Sequence, residues 1–537
     1  MALKTGISGL RGTVAPGEVS LTATQVVAWV QAFVAHVQAE RCKDKDRPVD
    51  RPVDRPFDRA FDRAFDRPFD RPFIALGHDA RRSSPALAAL AKGALLTAGA
   101  DVLDLGLTLT PTVQLTVRRD VRLDAGLMIT ASHNPVIWNG LKFLDSQGFF
   151  IPLTWWEAMR KMLSSQYWAG AGAGQNNLPS VALDQVGRVE QAGAQAWQAH
   201  LQATLDVLPI ETIRRQRYRV ALDACNGATV RWAEMLQALG CEPILLHTEQ
   251  HGFFAREAEP LPAHLGALRD LVRHAGCDLG LAADPDGDRL VLVDAHGHAV
   301  SEEHTVVLVG MALAQRPGDT IALNVVTTHA LEEAIPTATV VRTAVGEMNV
   351  VAGTIAHNAV LGGEGSGGII IPKINMARDG VAAAGMILTL MAQQNAPLHE
   401  LVARIPVWHA TKTKLRATEG SPDALRALFR HWKSETPQAR LTGHTLHVSS
   451  SDGFLSLTLH DDTSLTMSGK LPDGGIVQAN GDGRGLAPIF VTLDQQRDAL
   501  TLDLIDGVKL YADGAWLSLR PSNTEPILRV MGEVRAT

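Results

Sequence analysis

A chain of 537 residues is too long for one hydrophobic core, so roughly three to five domains are expected. With 46% hydrophobic and 20% charged residues it has the balance of a soluble globular protein. Its net charge of −7, with no basic block, argues against a nucleic-acid partner. Cys42, Cys225, Cys241 and Cys277 are scattered and read as reduced thiols of a cytoplasmic protein. No stretch reaches the roughly 18 uninterrupted apolar residues of a membrane span, and the first residues lack a secretory pattern, so no membrane partner is expected.

The chain opens with Gly6-Ile-Ser-Gly-Leu-Arg-Gly. Three glycines in seven positions suit a loop whose backbone approaches a ligand, and equally a plain N-terminal turn. A helix is expected from Ser20 or Thr22 to about Arg41, with Val26, Val27, Val30, Phe33, Val34 and Val37 at helical spacing. Residues 46–73 hold seven tandem tetrapeptides built on Asp-Arg-Pro-Phe. Proline at most third positions forbids a regular helix and spoils a strand ladder, which predicts an extended or disordered insertion over 43–72.

From Phe73 the pattern reads strand, tight turn, then helix over about 84–99. A strand at 100–105, a helix from Thr110 and a buried apolar run from Ala125 to Ile129 follow. This alternation predicts a parallel or mixed sheet covered by helices. Gly170 to Asn177 reads as a linker. A second α/β unit opens at Tyr218, with a helix over 230–239 and strands at 242–246 and 277–282. A third begins near Ser301, with a helix at 302–315 and a strand at 320–325. From about Ala410 the character changes: 442–505 alternates in strand fashion, and the chain closes as strand, polar loop, strand. Four domains are therefore expected, at 1–177, 178–298, 299–409 and 410–537, the last with a β-rich insertion at about 442–498.

Four stretches carry candidate chemistry. The apolar run ending at Ile129 gives way to Thr130-Ala-Ser-His-Asn-Pro, at the kind of sheet edge where ligands of α/β proteins bind. Ser132 there is a candidate nucleophile or group carrier; a capped turn is the bland alternative. Asp284, Asp286 and Asp288 alternate, so in an extended segment their carboxylates converge, and a cation is the natural resolution. Hard oxygen ligands suit Mg2+, with a solvated acidic turn as the alternative. An EF-hand is rejected, because its sixth position would be Arg289 and its twelfth Ala295. Glu364 and Ser366 lie in Gly362-Gly-Glu-Gly-Ser-Gly-Gly, where a carboxylate and a hydroxyl can meet sugar hydroxyls; such loops are also common turns. Arg520, Ser522, Asn523 and Thr524 share one loop, which suits a phosphate or simply connects two strands.

In this order, the four stretches resemble the α-D-phosphohexomutase family, over nearly the whole chain outside 42–72 and 442–498. The resemblance implies three related mixed-sheet α/β domains plus a C-terminal α+β domain around a central cleft. It implies a phosphoserine at Ser132 that exchanges its phosphoryl group with a hexose phosphate through a hexose 1,6-bisphosphate. Asp284, Asp286 and Asp288, with Ser132, would hold Mg2+. Arg289 and Lys142 would add positive charge, and Arg11 matches the arginine of the family's N-terminal loop. Glu364 and Ser366 would bind the sugar; Arg520, Ser522, Asn523 and Thr524 would hold the non-reacting phosphate.

There are departures. Several members carry a histidine two residues after the sugar-loop serine, where this chain has Gly368. The family's Lys-Val-Gly-Asp reads Ala344-Val-Gly-Glu here. The general acid/base then falls to Lys142, His133 or Arg11. Glucosamine phosphate is the favoured substrate, with mannose or glucose phosphate behind it and a metal-dependent sugar-phosphate phosphatase as the more distant alternative. A monomer or homodimer is expected.

Overall fold

The structure is a computed structural model that describes residues 3–6, 9–15, 20–43, 71–166, 181–418, 420–461, 463–522 and 527–536. The tetrapeptide insertion, except its ends, lies outside the described residues, as do the 170–177 linker, Asn523 and Thr524. The chain forms two compact units, Met1–Leu313 with Ser366–Val402, and Ala314–Gly365 with Ala403–Thr537. Mixed sheets and helices recur along it, as the α/β reading predicts. No helix among the described residues is long and apolar enough to cross a membrane.

The first unit holds a seven-stranded mixed sheet. Its order is Lys4–Gly6, Gly9–Thr13, Trp138–Leu144, Ala125–Ile129, Phe73–His78, Asp101–Leu107 and Val189–Gln191. Phe73–His78 runs parallel to both Ala125–Ile129 and Asp101–Leu107, while Trp138–Leu144 is antiparallel to Ala125–Ile129. All five residues of Ala125–Ile129 are buried, which explains why that strand reads as a continuous apolar run rather than an alternation. The helix Ala23–Lys43 packs its valines and Phe33 into the core beneath this sheet. It starts one residue after Thr22, whose hydroxyl accepts from the Gln25 amide at 3.2 Å while Gln25 Oε1 accepts from the Thr22 amide at 2.8 Å. This reciprocal pair is a capping box and fixes the helix start.

A second sheet in the same unit has the order Leu290–Asp294, Leu279–Ala283, Arg219–Asp223, Glu242–Leu246. Its first pair is antiparallel and the others are parallel. The three spaced aspartates fill the turn of that antiparallel pair. The unit also contains the hairpin Gly368–Ile371 with Asn375–Arg378. The helix Gly380–Gln394 follows, buried continuously from Gly380 to Ala392 and capped by Asp379, whose carboxylate accepts from the Ala382 amide at 3.2 Å.

In the second unit, Thr320–Asn324 lies between parallel neighbours Thr339–Thr343 and Leu361–Glu364. A ten-stranded sheet then runs from Trp408–Ala417 to Ile527–Arg535, antiparallel throughout its described pairings. The alternation read over 442–505 becomes five of its strands, Thr445–Ser449, Phe454–Leu459, Ser464–Lys470, Ile476–Asp482 and Thr501–Asp503, but not throughout: Ala487–Gln495 is a helix, with Ile489, Phe490 and Leu493 buried at helical spacing. Leu446, Val448, Leu455, Leu457, Leu465 and Met467 turn inward against the helices Ser421–Trp432 and Ala487–Gln495. This stretch continues the sheet, because Ala479–Gly481 pairs directly with Leu415–Ala417.

Candidate active site

Ser132 is buried where the strand Ala125–Ile129 ends, and its φ is +52°, a left-handed conformation uncommon outside glycine. Such a conformation persists only where surroundings over-determine it. They do so here: the Ser132 amide donates to Thr130 Oγ1 at 2.8 Å. The buried Arg81 guanidinium donates to four carbonyls of the same loop, those of Ser132 (2.5 Å), Asn134 (2.7 Å), Pro135 (2.7 Å) and Trp138 (3.0 Å). Arg81 is itself neutralised by Asp79 at 3.0 Å, and Asp79 also accepts from the Thr130 hydroxyl at 2.6 Å. Sequence reasoning read 79–81 as a tight turn and missed both residues. A signal was present, since Asp and Arg two apart straight after a buried strand must be either solvated or paired.

The Ser132 hydroxyl donates to Asp284 Oδ2 at 3.1 Å, and His133 Nδ1 stands 3.4 Å from it. All three aspartates are buried, and one carboxylate oxygen from each lies within 4.8 Å of the other two. Asp284 has both oxygens held by donors, while Asp286 and Asp288 have one each. Asp284 Oδ1 accepts from the Arg289 amide at 3.1 Å, and Asp286 Oδ2 from Lys142 at 2.7 Å and Thr110 at 2.6 Å. Asp288 Oδ2 accepts from Arg378 at 2.6 Å. Asp286 Oδ1 and Asp288 Oδ1 are buried with no hydrogen-bond partner among the described residues. Buried carboxylate oxygens left unpaired are costly unless a cation takes them, so this donor set fits a hard divalent ion.

Burial, with Asp288 and Asp286 close by, pushes the Asp284 carboxyl well above its ordinary range. Asp286 is equally buried, but the Lys142 ammonium and the Thr110 hydroxyl hold it low. Burial and the neighbouring Arg289, Arg11 and Arg378 push the His133 imidazole well below its usual value, so it is neutral at pH 7. Packing around Arg11 pushes its guanidinium down to about 10, which leaves it charged.

Arg11 donates to Asn134 Oδ1 at 2.5 Å, on the serine loop. It lies on the strand Gly9–Thr13, which pairs with Trp138–Leu144, and not on the free loop expected from its glycines. Those glycines serve close packing: a Cβ on Gly9 would fall 2.7 Å from the Leu141 carbonyl oxygen, and one on Gly12 would fall 2.8 Å from Ser20 Oγ. The Arg289 guanidinium pairs with Glu259 at 3.0 Å. Thus Ser132, His133, Lys142, Arg11, Arg289 and the three aspartates belong to one cluster in the first unit. Ser366 also lies in that unit, ahead of the hairpin strand Gly368–Ile371.

In the second unit, Glu364 Oε1 accepts from Asn324 Nδ2 at 3.0 Å and from the Gly346 amide at 3.2 Å. Arg520 Nη1 donates to Asp506 at 3.3 Å, and its buried Nε has no partner among the described residues. Asp506 Oδ2 also accepts from the Val345 amide at 3.1 Å. Ser522 is buried, with its carbonyl held by Arg426 at 2.6 Å. Asn523 and Thr524 lie outside the described residues.

The chain is a phosphohexomutase, an isomerase. Four family models match it in succession, covering more than half its length. They are described as phosphoglucomutase/phosphomannomutase alpha/beta/alpha domain I (residues 60–165), domain II (195–297), domain III (301–407) and C-terminal domain (497–537). The chain belongs to this phosphoglucomutase/phosphomannomutase family. It is 32% identical over 344 residues to a phosphoglucosamine mutase of Symbiobacterium thermophilum, covering 62% of this chain and 73% of that one. It is 25% identical over 468 residues to a phosphoglucomutase/phosphomannomutase of Thermococcus kodakarensis, covering 86% of each. A solved phosphoglucomutase/phosphomannomutase family protein from Burkholderia thailandensis shares the fold, with TM-score 0.67 and 19% identity over 98% of this chain and 92% of that one.

Proposed function

We propose that the enzyme interconverts glucosamine 6-phosphate and glucosamine 1-phosphate, with Ser132 as the phosphoryl carrier and a sugar 1,6-bisphosphate as the intermediate. The observation that carries this reading is the Ser132 hydroxyl at 3.1 Å from Asp284, beside Asp286 and Asp288, each with one buried oxygen that has no partner among the described residues. The sugar assignment is supported by likeness to a relative named phosphoglucosamine mutase.

In the forward half-reaction a sugar hydroxyl oxygen attacks the phosphorus on Ser132. The new sugar O–P bond forms as the Ser132 Oγ–P bond breaks, the sugar hydroxyl proton leaves to a base, and the freed Ser132 Oγ takes up a proton to become the hydroxyl again. Asp284, Asp286 and Asp288 are the residues that would hold Mg2+, which when bound supplies charge neutralisation and polarisation at the phosphoryl oxygens. Lys142, Arg11, Arg289 and Arg378 bring four positive charges beside the three aspartates and Glu259, which pairs with Arg289, so these side chains balance the carboxylates and the positive surplus for the phosphoryl group would come from the bound cation. We assign His133, whose Nδ1 lies 3.4 Å from Ser132 Oγ, to the proton of the serine hydroxyl. The return half-reaction delivers the other phosphate to Ser132.

Glu364 and Ser366 are assigned to the sugar, where a carboxylate accepts from hydroxyl or ammonium donors. Arg520, Ser522, Asn523 and Thr524 are assigned to the non-reacting phosphate, with Arg520 Nε, which has no partner among the described residues, offering half of a bidentate grip. Isomerisation assays with glucosamine, mannose and glucose 6-phosphates test the substrate. The expected result is the highest kcat/KM for glucosamine 6-phosphate, lost in Ser132→Ala. A preference for mannose or glucose phosphate overturns the sugar assignment, and release of free phosphate without isomerisation overturns the mutase mechanism.

A further inference from the structure

Strand Gly368–Ile371 pairs with Asn375–Arg378 so that Ile370 faces Arg378. Residues two apart on a strand share a face, which puts the Arg378 side chain over position 368. There it meets no side chain. A Cβ added to Gly368 would fall 2.4 Å from Arg378 Cδ and 3.2 Å from Cγ. Arg378 uses this clearance to reach the aspartate turn, donating from Nη2 to Asp288 Oδ2 at 2.6 Å, with both residues buried. The second oxygen, Asp288 Oδ1, accepts no hydrogen bond among the described residues, and Arg289 Nε stands 3.8 Å away from it. Lys142 treats Asp286 in the same way, holding Oδ2 and leaving Oδ1 open.

We infer that Arg378 is a positioning residue of the metal centre, turning Asp288 so that Oδ1 faces the divalent cation, and that the bare Gly368 is its required steric complement. Neither residue was singled out for such a role by its sequence. The pairing gives position 368 a physical reason to be glycine: a side chain there would occupy the space through which Arg378 passes. Donors that orient a metal ligand from behind contribute roughly 10–100-fold to metal affinity. The inference rests on the metal reading above.

The test is binding of Mn2+ alone to the chelator-stripped full chain, followed by its paramagnetic resonance signal without any sugar. Arg378→Met keeps the bulk of the side chain and removes its charge; it is expected to weaken Mn2+ binding roughly 10–100-fold. Gly368→Ala is expected to do the same, because its Cβ meets a flexible methylene of Arg378 and displaces that side chain before the strand. The double variant is expected to bind no more weakly than Arg378→Met, and Arg378→Lys to recover part of the loss. A single variant that binds like wild type, or additive losses in the double, overturns the assignment. If Arg378→Met does not fold, Gly368→Ala and Arg378→Lys decide. Wild type that binds no Mn2+ sinks the metal reading and this inference with it; wild type that binds alongside unaffected variants sinks this inference alone.

Discussion

At Ser132 a left-handed backbone is held by partners far away in sequence. Arg81 reaches its loop across 51 residues, and Asp284 lies 152 residues on. Ser132 and the three aspartates were legible because their types and spacing state their chemistry. Arg81, Asp79 and Arg378 were not, because a charged residue declares its role only once its burial and partner are known. Removing Arg81 would strip four carbonyls of their donor and leave Asp79 buried without its guanidinium. Arg81→Met is therefore expected to cost roughly 3–5 kcal/mol of stability, measured by urea denaturation. A loss below about 1 kcal/mol would show that the clamp is dispensable.

Among the elements, the helix starting after Thr22 was legible from the helical spacing of its valines, and the strands up to Asp482 from their alternation, whereas the helix Ala487–Gln495 was hidden inside the stretch read as strands. The N-terminal glycines misled, because glycine serves close strand packing and ligand approach alike, and only the Leu141 and Ser20 contacts distinguish them. Also hidden was a buried relay in the first unit. The Thr112 hydroxyl meets His200 Nδ1 at 2.9 Å, and His200 Nε2 meets Asp379 at 2.7 Å. It ties together the helices Thr110–Arg119, Gly193–Leu205 and Gly380–Gln394. His200→Ala would leave the buried Thr112 hydroxyl without this partner and Asp379 Oδ2 with the Asn375 amide at 3.1 Å as its remaining donor among the described residues, with an expected loss of roughly 1–3 kcal/mol in chemical denaturation. In the second unit, Leu457→Ala should cost roughly 2–4 kcal/mol, because its side chain is fully buried in the core shared by the sheet and its two helices. A near-neutral result would mean that this stretch does not fold cooperatively with the rest of the sheet.

Across the whole molecule, the order of four chemical stretches was legible, but the grouping into two compact units was not. Residues 366–402 join Met1–Leu313 although the chain between them, 314–365, belongs to the other unit. Long-range assembly of this kind leaves no local pattern. The second unit is also expected to be pH-sensitive. Lys509 is buried, with Nζ 2.6 Å from the Val325 carbonyl oxygen, 2.9 Å from His329 Nε2 and 4.5 Å from the centre of the Trp516 ring. Burial, aided by Arg342, pushes its ammonium down to about 7, while Glu332, Asp503 and Glu533 oppose that shift only in part. Between pH 7 and about 10 the unfolded chain keeps a proton that the folded chain has released, so stability gains with rising pH in that window. The unfolding free energy of wild type relative to Lys509→Met should therefore rise from pH 7 to 10 and be level below it. A difference that stays flat across the window would contradict this.

The central claim is that Ser132 is loaded and unloaded with a phosphoryl group. Intact-mass analysis of the full chain after incubation with a hexose 1,6-bisphosphate and Mg2+ tests it most directly. The account predicts one added phosphoryl group, mapped to the peptide holding Ser132, absent from Ser132→Ala and discharged when hexose 6-phosphate is added. A wild-type chain that isomerises the sugar phosphate while Ser132 never gains that mass would contradict it.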